Sequence, residues 1–133
     1  LKNKKLVSGK ILDINLSYEI FGPDLHSAPI ILVNHALTGN SNVTGEDGWW
    51  NSFVGDNKII DTHLYSVICF NIPGNGFDGN LIENYQDFKA KDIANIFLLV
   101  YRHLYNIYSN LFPFFYRVLL LKKCLFIELL IQY

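Results

Sequence analysis

The chain has 133 residues, a formal net charge of -1, and a composition that is 50% hydrophobic and only 17% charged. That length holds one domain rather than two of ordinary size, and so apolar a composition excludes a disordered chain. Eleven Lys and Arg against twelve Asp and Glu leave no basic surplus of the kind nucleic-acid binders use on phosphate, and two Cys make neither a disulfide framework nor a zinc site.

The chain opens on Leu1-Lys2-Asn3-Lys4-Lys5, but Ser8, Gly9, Lys10 and Asp13 interrupt the apolar run that a secretory signal needs. The expectation is a cytoplasmic protein. Met is absent throughout, which suggests a piece of a longer reading frame. Sequons at Asn15 and Asn42 read as chance matches without a signal. Lys10 to Phe21 alternates apolar and polar residues, as strands with one buried face do, and Gly22-Pro23-Asp24 ends it in a turn. Pro29 to Val33 is a continuous apolar run with β-branched residues, suited to a strand buried on both faces. It runs into Asn34-His35-Ala36-Leu37-Thr38-Gly39-Asn40. Gly48 to Gly55 reads as one or two helical turns. Tyr65 to Phe70 repeats the buried-strand pattern and ends in the glycine-rich Asn71 to Gly76. Asp87 to Val100 places Phe88, Ile93, Ile96, Phe97 and Val100 on one face of a helix, with Asp87 as N-cap; Lys91 spoils a capping box. Buried strands alternating with helices imply a parallel sheet in an α/β protein.

The character changes near residue 100. All nine Gly lie between Gly9 and Gly79, and residues 101–133 contain no Gly, Ala, Asp or Thr but five of the eight Tyr. Three explanations fit this aromatic-rich tail: a membrane segment, an unusual helical end, or a stretch read in the wrong frame. A spanning helix needs about 20 mostly apolar residues. The charge-free run His103 to Tyr116 is shorter and carries His103, Asn106, Ser109, Asn110 and Pro113. A frameshift after about Val100 accounts best for the loss of turn formers, and an authentic helical cap is the alternative. The expected organisation is therefore 1–100 as the N-terminal part of an α/β domain and 101–133 as an atypical apolar helical tail.

Two loops carry a resemblance. Ile31 to Gly39, with His-Ala-Leu-Thr-Gly at its centre, is followed by Asp47-Gly48-Trp49-Trp50, by Ile60-Asp61-Thr62 with Tyr65, and by Asn71 to Asn80. In that order these resemble homoserine O-acetyltransferases, an acyltransferase branch of the α/β-hydrolase superfamily, over roughly residues 8–100. The resemblance implies acyl transfer from acetyl-CoA to L-homoserine in methionine biosynthesis, with a Ser-Asp-His triad, no metal, no bound cofactor, CoA as co-substrate, and a homodimer for the intact parent. It also implies that the backbone N–H of Leu37 serves the oxyanion hole, since in this fold the loop after the third strand supplies such a donor. His35 comes too early for the triad histidine, which is last in chain order, and is expected to shape the loop instead.

Other candidates have plainer readings. Gly74-x-Gly76 lacks the third glycine of a phosphate fingerprint and reads as a tight loop. Asp47, Asp78 and Glu83 are expected to be solvated. Trp49 and Trp50 are expected to split, one inward and one outward. Cys69 reads as a small buried hydrophobe, and Cys124 carries no information.

The family's nucleophile sits on a G-x-S-x-G elbow. No Gly follows Gly79, and Ser109 is the only Ser after Ser66. The chain alone is thus expected to be inactive, as the N-terminal part of an incomplete α/β-hydrolase-type sheet. Two other classes remain open on sequence: a serine hydrolase or esterase of the same fold, and a non-enzymatic membrane-associated protein built on the tail.

Overall fold

The computed structural model describes residues 1–25, 27–36, 38–83, 85–109 and 125–127. Two short strands, β1 (Lys4–Lys5) and β2 (Ile11–Leu12), pair antiparallel. They lead into β3 (Tyr18–Phe21) and, after the turn at Gly22, β4 (Ile30–Val33). The expected strand across 10–21 is thus broken between Leu12 and Tyr18. There Ile14 turns inward to 1% exposure, and Asp13 takes the Lys2 ammonium and the Asn3 N–H. Those bonds hold Asp13 below the usual carboxylate range. Two two-residue strands, β5 (Val54–Gly55) and β6 (Ile60–Asp61), lie in the excursion before β7 (Ser66–Phe70). A 3-10 turn at Tyr85–Asp87 precedes α1 (Ala90–Ser109), and β8 is Leu125–Ile127.

Among the described residues the main sheet has the order β3-β7-β4-β8. β3 runs antiparallel to β7, while β7 and β8 both run parallel to β4. The apolar runs read as doubly buried strands are that: every residue of β4 and β7 is buried. Their alternation divides the core. Ile30, Leu32, Ile68 and Phe70 face one side, where α1 presents Ile93, Ile96, Phe97 and Val100. Ile31, Val33, Val67 and Cys69 face the other, against Val43, Val54 and Ile60. Phe70 and Phe97 stack at 5.1 Å between ring centres on the helix side.

Three expectations are corrected or narrowed. First, Gly48 to Gly55 goes no further than a single helical turn. Val54 N–H reaches Trp50 O, but Ile60 N–H then claims Phe53 O and draws the chain into the β5–β6 pair. Second, α1 starts at Ala90, so Asp87 is not its cap. Asp87 pairs with Lys10, and Asp92 instead caps from inside, accepting the N–H of Lys89 at 3.0 Å and that of Val7 at 2.7 Å. A carboxylate in the first turn also faces the positive end of the helix dipole. Third, the tail is helical only to Ser109 in the described residues, and Leu125–Ile127 forms a strand beside β4. The change of composition at residue 100 falls inside α1. Cys124 and the remainder of the tail lie outside the described residues, and no helix of the described chain is long and apolar enough to cross a membrane.

Candidate functional site

β4 and β7 are parallel neighbours, so the loops that follow them leave the same edge of the sheet. Crevices outside the carboxyl ends of parallel strands are where open α/β sheets bind ligands. The first loop is 34–41 and the second is 71–80. Leu37, the expected oxyanion donor, lies outside the described residues; its neighbours do not.

His35 joins the two loops. Its Nε2 accepts the N–H of Ile72 at 3.3 Å, and its Nδ1 lies 2.6 Å from the Ala36 carbonyl. Ile72 N–H can only donate, so Nε2 is the bare nitrogen and Nδ1–H donates to Ala36. The same carbonyl accepts Gly39 N–H at 2.8 Å, which draws Gly39 back onto Ala36 in a tight turn. Gly39 is needed there: a Cβ on it would stand 2.9 Å from His35 Cβ. His-Ala-Leu-Thr-Gly therefore has a physical reading in which the histidine clamps the turn and the glycine lets the clamp approach. The loop-shaping role expected of His35 agrees with this geometry.

Two more side chains tie the loops together. Asn75 Nδ2 donates to Gly39 O at 3.3 Å. Asn71, 2% exposed, uses its whole amide: Oδ1 accepts Ser41 N–H at 2.7 Å, and Nδ2 donates to Ser17 Oγ at 2.8 Å and Ser41 Oγ at 3.0 Å. Sequence reasoning passed over Asn71 and Ser41. The only signal was a polar residue immediately after a fully buried strand.

The remaining candidates are placed as follows. Asp78 is exposed, as expected, but not free. Slight burial pushes its carboxyl up, yet hydrogen bonds from the Ser17 side chain and Asn80 outweigh that and leave it below the ordinary value. Asp47 and Glu83 are exposed, and Glu83 borders a cleft of about 240 Å³ with Lys10, Leu12, Asp13, Leu81 and Ile82. Trp49 and Trp50 divide as expected, Trp50 leaning on the core and Trp49 exposed, although their rings stack at 5.5 Å; Trp49 donates Nε1–H to Asn40 O at 2.9 Å. The Asn40 carbonyl holds Trp49 on the surface. Gly74 has φ +78°, and a Cβ there would press on Ile82, which confirms a tight loop. Cys69 is buried as read, and burial, with Glu19 across the strand pair, pushes its thiol up to about 12. One Glu19 carboxylate oxygen is buried without a hydrogen-bond partner among the described residues. Asp56, Asp61 and His63 approach one another, but His63 already pairs with Asp56, and Asp61 accepts the His63 N–H. Those mutual bonds account for the group.

No protein-family model matches the chain. Curated proteins do. A homoserine O-acetyltransferase of Geotalea uraniireducens is 43% identical over 83 residues, covering 55% of this chain and 22% of the relative. One of Methanococcus vannielii is 43% identical over 86 residues, covering 56% and 17%. The chain is similar to the homoserine O-acetyltransferases. It spans about a fifth of the length of the curated relatives it matches. Among solved structures, the homoserine O-acetyltransferase of Staphylococcus aureus superposes with a TM-score of 0.63 at 26% identity, over 78% of this chain and 33% of that one. Esterase E22 gives the same TM-score of 0.63 at 22% identity, over 78% and 36%, a likeness of fold alone. The described sheet is thus part of an α/β-hydrolase-type sheet.

Proposed function

We propose that the intact protein transfers an acetyl group from acetyl-CoA to the hydroxyl of L-homoserine, a step of methionine biosynthesis in the cytoplasm, and that loop 34–41 is its oxyanion loop. The observation that carries this reading is the His35 clamp: a tight turn at the carboxyl end of β4, braced from the loop after β7. A turn fixed on both sides suits a backbone donor that must be in place before charge develops. A preorganised N–H aimed at the oxygen of a tetrahedral intermediate is worth about 3 kcal/mol. By family resemblance that N–H is Leu37's.

The proposed course is ping-pong. A serine attacks the thioester, CoA leaves, and the homoserine hydroxyl takes the acyl group from the serine. No residue of this chain is assigned as that serine, its acid or its histidine, so the chain alone is proposed to be inactive. An esterase of the same fold shares the oxyanion requirement, but its likeness rests on fold, whereas the acetyltransferases are similar in sequence as well.

The test begins with the gene. The locus is sequenced for about 800 bases beyond codon 100, room for the remainder of such a domain, and all three frames are translated. G-x-S-x-G followed by Asp and then His is expected in one of them. The restored protein is then assayed for thiol release from acetyl-CoA. Release that depends on L-homoserine supports the proposal. Ester hydrolysis indifferent to homoserine, or no elbow in any frame, overturns it.

A further inference from the structure

The loop after β4 is held at its first half by His35, but its second half hangs on a different device. Ser41 is 1% exposed, and its N–H points at Asn71 Oδ1. The Asn71 amide is itself held: Nδ2 bonds Ser17 Oγ, and the Asn71 N–H bonds Ser17 O at 2.9 Å. Ser17 immediately precedes β3, the strand that pairs with β7, so the amide is anchored on the sheet. A chain of hydrogen bonds therefore runs Ser17–Asn71–Ser41, from the start of β3, through the end of β7, into the loop after β4. The Asn71 amide on it is fully used, its oxygen accepting once and its nitrogen donating twice, the condition under which a buried polar group fixes a single geometry. The turn residues downstream share the anchor, since Asn40, next to Ser41, accepts Trp49 Nε1–H and, through its side chain, the N–H of Asn42 at 2.9 Å.

We propose that Asn71 is the positioning residue of the oxyanion loop, setting the place of residues 38–41 through Ser41, with Ser17 holding its amide in register. The term oxyanion loop rests on the function proposed above; the positioning does not. Asn71 touches no reacting atom. It supplies to the far end of the loop what His35 supplies to the near end.

Amide hydrogen exchange by NMR on the full chain reads this directly. Asn71→Leu keeps the side-chain volume but removes the acceptor. Asn71→Asp keeps an acceptor for Ser41 N–H. In the Leu variant Ser41 exchange is expected to rise by about tenfold or more relative to Ile68 in the β7 ladder, the loss that follows an unmade buried hydrogen bond. The Asp variant is expected to restore most of that protection. A side chain that merely fills space predicts no rescue, because Leu fills it as well as Asp. Equal Ser41 exchange in the two variants, or Ser41 and Ile68 moving together in both, overturns the proposal. Should the Leu variant not fold, Ser17→Ala carries the test. It leaves the Asn71–Ser41 bond but frees the amide, and a severalfold rise at Ser41 with a displaced Trp49 indole resonance is expected. Unchanged Ser41 and Trp49 signals there contradict the relay. None of these signals requires acyl transfer. Failure here leaves the functional reading on its own test, and failure of that reading leaves the relay intact.

Discussion

The two faces of the sheet are buried by different means. On one, α1 lays a periodic apolar stripe over Ile30, Leu32, Ile68 and Phe70. On the other, the excursion between β4 and β7 folds back on Ile31, Val33, Val67 and Cys69 with short apolar contacts and many backbone bonds. Trp49 and Trp50 N–H reach Asn42 O and Val43 O, and Gly48 lies so close to Thr44 that a Cβ would come within 2.3 Å of its Cα. The helix face is a side-chain interface. The excursion face is a backbone interface with a few side chains set into it. That difference teaches where each fails: the first through cavities, the second through added bulk.

The largest effect is expected on the helix face. Phe70→Ala removes a ring at 0% exposure that meets both Phe97 and Tyr18, and a loss of about 3–5 kcal/mol is expected in urea unfolding. Gly48→Ala tests the opposite face by addition rather than removal. A methyl group against the Thr44 backbone cannot be relieved by a rotamer, and a loss of about 1–3 kcal/mol is expected. If Gly48→Ala proves neutral, the excursion is looser than described. Asp92→Ala sharpens the helix side, because it leaves the Val7 and Lys89 N–H groups without their acceptor; about 1–2 kcal/mol is expected, with α1 fraying first by hydrogen exchange.

The smallest effect at neutral pH lies in Cys69. Its pKa is raised from 9.0 to about 12, chiefly by burial, so the native state keeps its proton where the unfolded chain loses it. The contribution is fully present below pH 9 and is lost as pH rises toward 12. Urea midpoints compared between neutral and alkaline pH should fall more in the wild type than in Cys69→Ala. Equal slopes would mean that the thiol is not buried as described. Native Cys69 should also resist alkylation until the chain unfolds.

The same division explains what was legible in the sequence. Ile30 to Val33 and Ser66 to Phe70 announce themselves as continuous apolar runs because both faces are covered. The stripe of α1 is visible because a helix repeats its contact every 3.6 residues. The excursion has no period to read: its order comes from backbone bonds such as Ile60 N–H to Phe53 O, which any residue can make. Its one helical turn, closed by Val54 N–H on Trp50 O, was legible, but the β5–β6 pair was not. The start of α1 was misplaced because Asp92 caps from the third position, where a carboxylate looks like an ordinary helix residue. At the site, His35 and Gly39 were legible as a motif. Asn71 and Ser41 were not, since their partners Ser17 and Asn71 lie 54 and 30 residues away and only the fold brings them together.

The two halves of that site meet at the His35 ring, and its tautomer is the most direct thing to measure. A long-range proton–nitrogen correlation spectrum of the chain at mildly alkaline pH distinguishes the two ring nitrogens. The expected result is a single Nδ1–H tautomer with bare Nε2, and an Ile72 amide that is protected from exchange and becomes exposed in His35→Ala. An Nε2–H tautomer, or an Ile72 amide indifferent to His35, would mean that the loop after β4 is not clamped to the loop after β7, and the proposed oxyanion loop would lose its support.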